Sequence, residues 1–177
     1  MENCRPAPTP SKPHTQLLIS EGQPLPEPSF YRSIVRAFQY LTFTRPDIAH
    51  SVNVVCQCMK NPTDANMFFV KMILRYLQGT LKCGITYHLG VDIHISAYSD
   101  VDWASDINTR RLVTGYVVFL GSNPISWQSK KQSSKKDIVV HYISTDNRVA
   151  DILTKGLHSP VFVKHCINLS LVVPSCD

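Results

Sequence analysis

Glutamate is almost missing from this chain of 177 residues: Glu2, Glu21 and Glu27 are the only three, and none follows Glu27. Carboxylate chemistry beyond the N-terminal stretch therefore rests on aspartate alone. The six cysteines, at positions 4, 56, 58, 83, 166 and 176, form no Cys-x-x-Cys pair, and Cys56-x-Cys58 has the wrong spacing for a structural zinc site. They read as reduced thiols. No run approaches the roughly 20 apolar residues needed to cross a bilayer, and no basic-then-apolar leader opens the chain. An intracellular protein without a membrane partner is expected.

Composition is otherwise ordinary, at 44% hydrophobic and 18% charged residues, which excludes a chain that is disordered, collagen-like or coiled-coil throughout. The net charge of +5 permits a polyanionic partner without requiring one. Prolines are unevenly placed: Pro6, Pro8, Pro10, Pro13, Pro24, Pro26 and Pro28 crowd the beginning. Each fixes φ and removes a backbone donor, so residues 1–29 are expected to form an extended, disordered linker.

Helical periodicity begins after that. Ile34, Phe38 and Leu41 share one face, with Ser29 as a candidate N-cap and Pro46 as the stop. A second helix is expected over 46–59, with Pro46 in its first turn and Ile48, Val52, Val55 and Met59 as its apolar stripe. A third follows from Thr63 as cap to Gly79 as a left-handed stop. From residue 83 the period becomes that of strands, at 84–88, 94–100, 114–120 and 125–128. A β-branched run at 138–143 and a short helix at about 146–153 complete the expected order. The fold class is α/β: an N-terminal three-helix segment over 30–82, then a mixed sheet over 83–177.

The densest polar cluster is the string YSDVDWASD, at the end of an alternating strand. Asp100 and Asp102 are two apart and point to one face if the strand continues. They serve either as turn initiators or, at Asp100, as a ligand for a hard cation such as Mg²⁺. Asp151 is similarly open between a helix-terminal charge and a ligand. Arg110, Arg111, Lys130 and Lys131, with Lys135 and Lys136, suit either a phosphate-tracking surface or a solvated turn face. Trp103, Tyr116 and Trp127 lie in strand patterns and are expected in the core rather than stacked on bases.

Four strings in order resemble the Pol polyprotein of Ty1/copia-type LTR retrotransposons, particularly those of plants. They are YRSIVRAFQYLTFTRPDIAHSVN, FFVKMILRYLQGTL, YSDVDWASDINTRRLVTGYVVFLGSNPISWQSKKQSS and HYISTDNRVADILTKGL. The resemblance covers nearly the whole chain. It implies that residues 30–82 are the helical end of a reverse transcriptase and its connection, and that 83–177 derive from a ribonuclease H. In such a nuclease four carboxylates hold two Mg²⁺ ions that activate water and stabilise the leaving oxygen. The resemblance places the first at Asp100 and the last at Asp151.

The same resemblance defines what is gone. After KKQSS the family continues through a Thr-Glu-Ala-Glu-Tyr helix with the second carboxylate and later an Asp-Asn pair with the third. Here Ser134 is followed at once by Lys135-Lys136-Asp137. The absence of glutamate after Glu27 means that the chain has no second ligand of the family's type. No Asp-Asp dipeptide exists, so the Tyr-x-Asp-Asp polymerase hairpin is absent too. The expectation is a truncated ribonuclease-H-like sheet and a degenerate, inactive Pol fragment with at most residual affinity for nucleic acid, an RNA/DNA hybrid in particular. Two alternatives stand beside it: an active Mg²⁺-dependent ribonuclease H whose middle was lost in gene modelling, and a domesticated interaction protein that does no catalysis.

Overall fold

A computed structural model describes residues 4–13, 21–89, 93–102, 113–131 and 148–172. Within them the protein is mixed α/β: a helical layer stands against a three-stranded antiparallel sheet, and a C-terminal helix with a two-stranded ladder closes one side. The expected strand at 138–143 lies outside the described residues, as do Trp103, Arg110, Arg111, Lys135 and Lys136.

Helix α1 spans Pro28–Leu41, with Glu27 rather than Ser29 at the N-cap and Pro28 in the first turn. Proline fits there because its missing N–H would have had no intrahelical partner. The helix stops at Leu41, before Pro46 is reached. Pro46–Ile48 is a 3-10 turn, and α2 follows as Ala49–Cys56, shorter than expected. Helix α3, Asp64–Gly79, starts on a capping box in which Thr63 Oγ1 accepts from the Asn66 amide while Asn66 Oδ1 accepts from the Thr63 amide. Gly79 is not the left-handed stop that was expected, for it lies inside the helix. A Cβ there would sit 2.8 Å from Pro6 Cβ, so its smallness lets the N-terminal segment approach.

That segment is tied to α3 in its described parts. The Ala7 amide donates to the Arg75 carbonyl at 3.3 Å, Arg75 Nε donates to the Arg5 carbonyl at 2.7 Å, and the Leu25 amide donates to the Pro62 carbonyl at 3.0 Å. Thr9 is buried.

Strands β2 (Ile95–Asp102), β3 (Val113–Leu120) and β4 (Asn123–Lys131) form an antiparallel meander, in spatial order β2-β3-β4. The register steps between Val118 and Phe119, where Ile125 is the extra residue on β4. Strand β1, Gly84–Ile85, does not join this sheet. It pairs antiparallel with β5, Leu171–Val172. Between them in the chain, α4 (Ser159–Asn168) leads directly into β5. The last expected helix is a 3-10 turn, Val149–Leu153, and all five of its residues are buried.

Alternation on β3 sends Val113, Gly115, Val117 and Phe119 inward. Tyr116 therefore faces outward, at 39% exposure, which corrects its expected place in the core. Trp127 does pack against the core, and its indole N–H donates to the Thr42 carbonyl at 2.7 Å. One hydrophobic cluster joins Tyr31 and Val35 of α1, Val52 of α2, Ile73 of α3, Val117 of β3, Leu153 and Phe162. Each side chain of this size contributes about 1.5–3 kcal/mol when fully withdrawn from water.

Candidate functional site

The site is built where the sheet meets the 3-10 turn. Asp100 lies near the end of β2, on the same strand face as Ser96 and Tyr98, and its partner across the ladder is Gly115 of β3. A Cβ on Gly115 would lie 2.7 Å from Leu153 Cβ and 2.9 Å from Thr154 Cγ2. Only glycine lets the turn press this closely onto the strand. The close approach carries Asp151 and Thr154 to the Asp100 carboxylate.

Three contacts define the cluster. Thr154 Oγ1 donates to Asp100 Oδ2 at 2.5 Å. Lys155 Nζ lies 2.9 Å from Asp151 Oδ2 and 3.9 Å from Asp100 Oδ2, so one ammonium spans both acids. Both carboxylate side chains are about nine-tenths buried, whereas that of Lys155 is 38% exposed. Lys155 reaches Asp151 because the two are four apart on a continuing turn, where the Lys155 amide donates to the Asp151 carbonyl at 3.2 Å.

Asp151 Oδ1 is buried and has no hydrogen-bond partner among the described residues. Burial raises the Asp151 pKa above the ordinary carboxylate value, and the neighbouring Asp100 pushes the same way, while the hydrogen bond and charge of Lys155 oppose them. The raised pKa favours the protonated form of Asp151 beside Asp100.

The sequence-derived pair Asp100 and Asp151 is therefore brought together, from strands and turns 51 residues apart in the chain. The basic residues are not assembled in the same way. Lys130 is exposed on β4 opposite Thr114, and Lys131 closes that strand opposite Val113. Arg110 and Arg111 lie outside the described residues. Sequence reasoning missed Gly115, Thr154 and Lys155. The string ILTKG directly after Asp151 was the available signal for the last two, since a hydroxyl at i+3 and a cation at i+4 share one side of a helical turn.

The implied Mg²⁺ centre can be tested against these groups. The unpartnered Asp151 oxygen suits a hard cation. Against this, an ammonium already sits on both acids, and no group of three or more His, Cys, Asp or Glu side chains able to hold a metal occurs among the described residues. The set does not fit a two-ion centre.

Elsewhere, burial pushes the thiols up, Cys56 to about 11 and Cys166 to about 12, so neither is a thiolate at neutral pH. No described helix is long and apolar enough to cross a membrane.

No family model matches the chain, and no solved structure matches it. Curated relatives do. Over 132 residues, 75% of this chain, it is 45% identical to an uncharacterized mitochondrial protein of Arabidopsis thaliana, covering 55% of that protein. Over 132 residues it is 46% identical to the retrovirus-related Pol polyprotein from transposon RE1 of Arabidopsis thaliana, covering 9% of it. With the retrovirus-related Pol polyprotein from transposon TNT 1-94 of Nicotiana tabacum it shares 32% identity over 190 residues, spanning 97% of this chain and 14% of the relative. The chain thus spans about half of the first relative and a small fraction of the polyproteins.

Proposed function

Because the chain belongs to the Pol polyprotein family of Ty1/copia-type retrotransposons, we propose that it is a remnant of that polyprotein's ribonuclease H end which no longer hydrolyses RNA/DNA hybrids. The observation that carries this reading is the missing acid: Ser134 runs directly into Lys135 and no glutamate follows Glu27, so Asp100 and Asp151 lack the family's second carboxylate. A metal nuclease of this kind needs carboxylates free to ligate, and here two acids share one ammonium and have no third acidic partner among the described residues.

Two further observations support it. Asp100 stands on β2, which is an edge strand of the described sheet, and that edge is where a ribonuclease-H-like fold would place its fourth strand. The alignment with the tobacco polyprotein runs over 190 residues, more than the 177 of this chain, in keeping with a lost internal segment. Residual nucleic-acid affinity would come from exposed lysines such as Lys130 and would be independent of base sequence.

The deciding experiment incubates the purified chain with an RNA/DNA hybrid and Mg²⁺. No cleavage above background is expected, and any binding should weaken steeply as salt rises. Specific cleavage that disappears in Asp100→Asn would overturn the reading.

A further inference from the structure

We infer that helix α3 and the turn after Lys155 form a docking track for a proline-rich peptide, with residues 4–13 as its built-in and separable ligand. This holds whether or not the chain hydrolyses hybrids.

Two glycines far apart in the chain mark the track. Neither Gly79 nor Gly156 has the positive φ that calls for glycine, a conformation that among the described residues falls to Gly22 and Gly121. At both positions a side chain would instead meet the same segment. A Cβ on Gly79 would lie 2.8 Å from Pro6 Cβ, and one on Gly156 would lie 2.7 Å from the Lys12 carbonyl oxygen and 3.2 Å from Ser11 Oγ. Gly79 ends α3, where alanine is the better helix former, so the helix alone gives no reason for glycine. Between the two points the segment is held as a peptide ligand is held. Its Ala7 amide donates to the Arg75 carbonyl, its Arg5 carbonyl accepts from Arg75 Nε, and Cys4 Sγ donates to Gln78 Oε1 at 2.9 Å. Thr9 and Pro10 are buried and Ala7 packs on the hydrophobic cluster, while Pro6 and Pro8 are exposed. The segment belongs to no helix or strand, so no ladder of the fold is broken when it leaves. Its prolines at 6, 8, 10 and 13 fix φ beforehand, which lowers the entropy lost on docking.

A cut chain tests whether the ligand is separable. In the full chain a recognition sequence for a site-specific protease replaces residues 14–20, and that sequence is then cleaved. The N-terminal piece should stay with the rest on gel filtration, and it should exchange with a fluorescent peptide of residues 1–13 to give a saturable rise in anisotropy. Gly79→Ala or Gly156→Ala in the cut chain should weaken the peptide Kd about tenfold, the scale of overpacking by one methyl group. Loss of the piece from the cut parent would overturn the inference, as would undiminished binding by either alanine variant. If the cut chain no longer melts cooperatively, the intact chain carries the test. There Gly79→Ala and Gly156→Ala should each speed alkylation of half-buried Cys4 severalfold and leave that of buried Cys58 unchanged. An unchanged Cys4 rate in either variant would overturn the inference, and so would a parallel rise at Cys58, which would mean general loosening.

Discussion

Two buried ionic clusters of similar composition lie in different parts of the fold and are finished to different degrees. In the helical layer, Arg45 clasps Asp47 with both carboxylate oxygens engaged, at 3.0 and 2.7 Å. Tyr76 adds its hydroxyl at 2.5 Å to the second oxygen, and Thr80 takes the remaining guanidinium bonds through its carbonyl and Oγ1. Beside the sheet, Asp100 and Asp151 share Thr154 and Lys155, and Asp151 Oδ1 has no partner. The difference teaches how completely each is satisfied. A closed, bidentate Arg network has every charged atom engaged, whereas the pair beside the sheet keeps one buried carboxylate oxygen without a partner among the described residues.

The largest effect should come from opening the closed cluster. Asp47→Ala leaves the Arg45 guanidinium, itself 5% exposed, without its counter-charge, and should cost about 3–5 kcal/mol in chemical denaturation. A loss below about 1 kcal/mol would mean that water or another acid takes over, and the contrast between the clusters would fail.

Acid should reveal another weakness of the helical layer. His50 on α2 has a buried Nδ1 with no hydrogen-bond partner among the described residues, and burial lowers its pKa from 6.5 to about 4. The unfolded chain then binds a proton that the folded chain refuses, so stability is full above about pH 6.5 and declines as pH falls toward about 4. The loss should be on the order of 3 kcal/mol. Melting temperatures of the parent and of His50→Gln across that window should differ in slope, the variant being flatter. Parallel curves would place the acid sensitivity elsewhere, with the buried His165 as the next imidazole to replace.

Gly115→Ala probes how the open cluster is assembled. Its new methyl would meet Leu153 and Thr154, and should destabilise by roughly 1–3 kcal/mol through overpacking.

The smallest change should follow Lys155→Met. The lysine head is more than a third exposed and screened by solvent, so the denaturation midpoint should shift by about 1 kcal/mol or less. A loss as large as that of Asp47→Ala would show both clusters to be equally structural.

Local chemistry made much of this legible in advance. Thr63 reads as a cap and functions as one. The alternation around Val117 and Phe119 predicts the buried face of β3, and Pro46 opens a helical turn as its fixed φ requires. What escaped depends on partners far along the chain. Helix α4 has its signal in Ser159-Pro160 followed by Phe162, His165 and Leu169, but nothing local says that β5 will pair with β1. Gly79 looked like a stop because glycine tolerates positive φ, when its role is to admit Pro6. Tyr116 shares its strand with core residues, but its position in the alternation sends it outward.

The amino-acid order alone determined the family, the three N-terminal helical segments, the strands of the meander and the two aspartates worth pursuing, because motifs, caps and period-two alternation are local properties of a chain. Tertiary structure decided that Asp100 and Asp151 meet, that Gly115 is the reason they can, and that Lys155 stands between them. Those facts follow from one turn pressing on one strand, and the electrostatics of two buried carboxylates exist only once the chain has brought them out of water together.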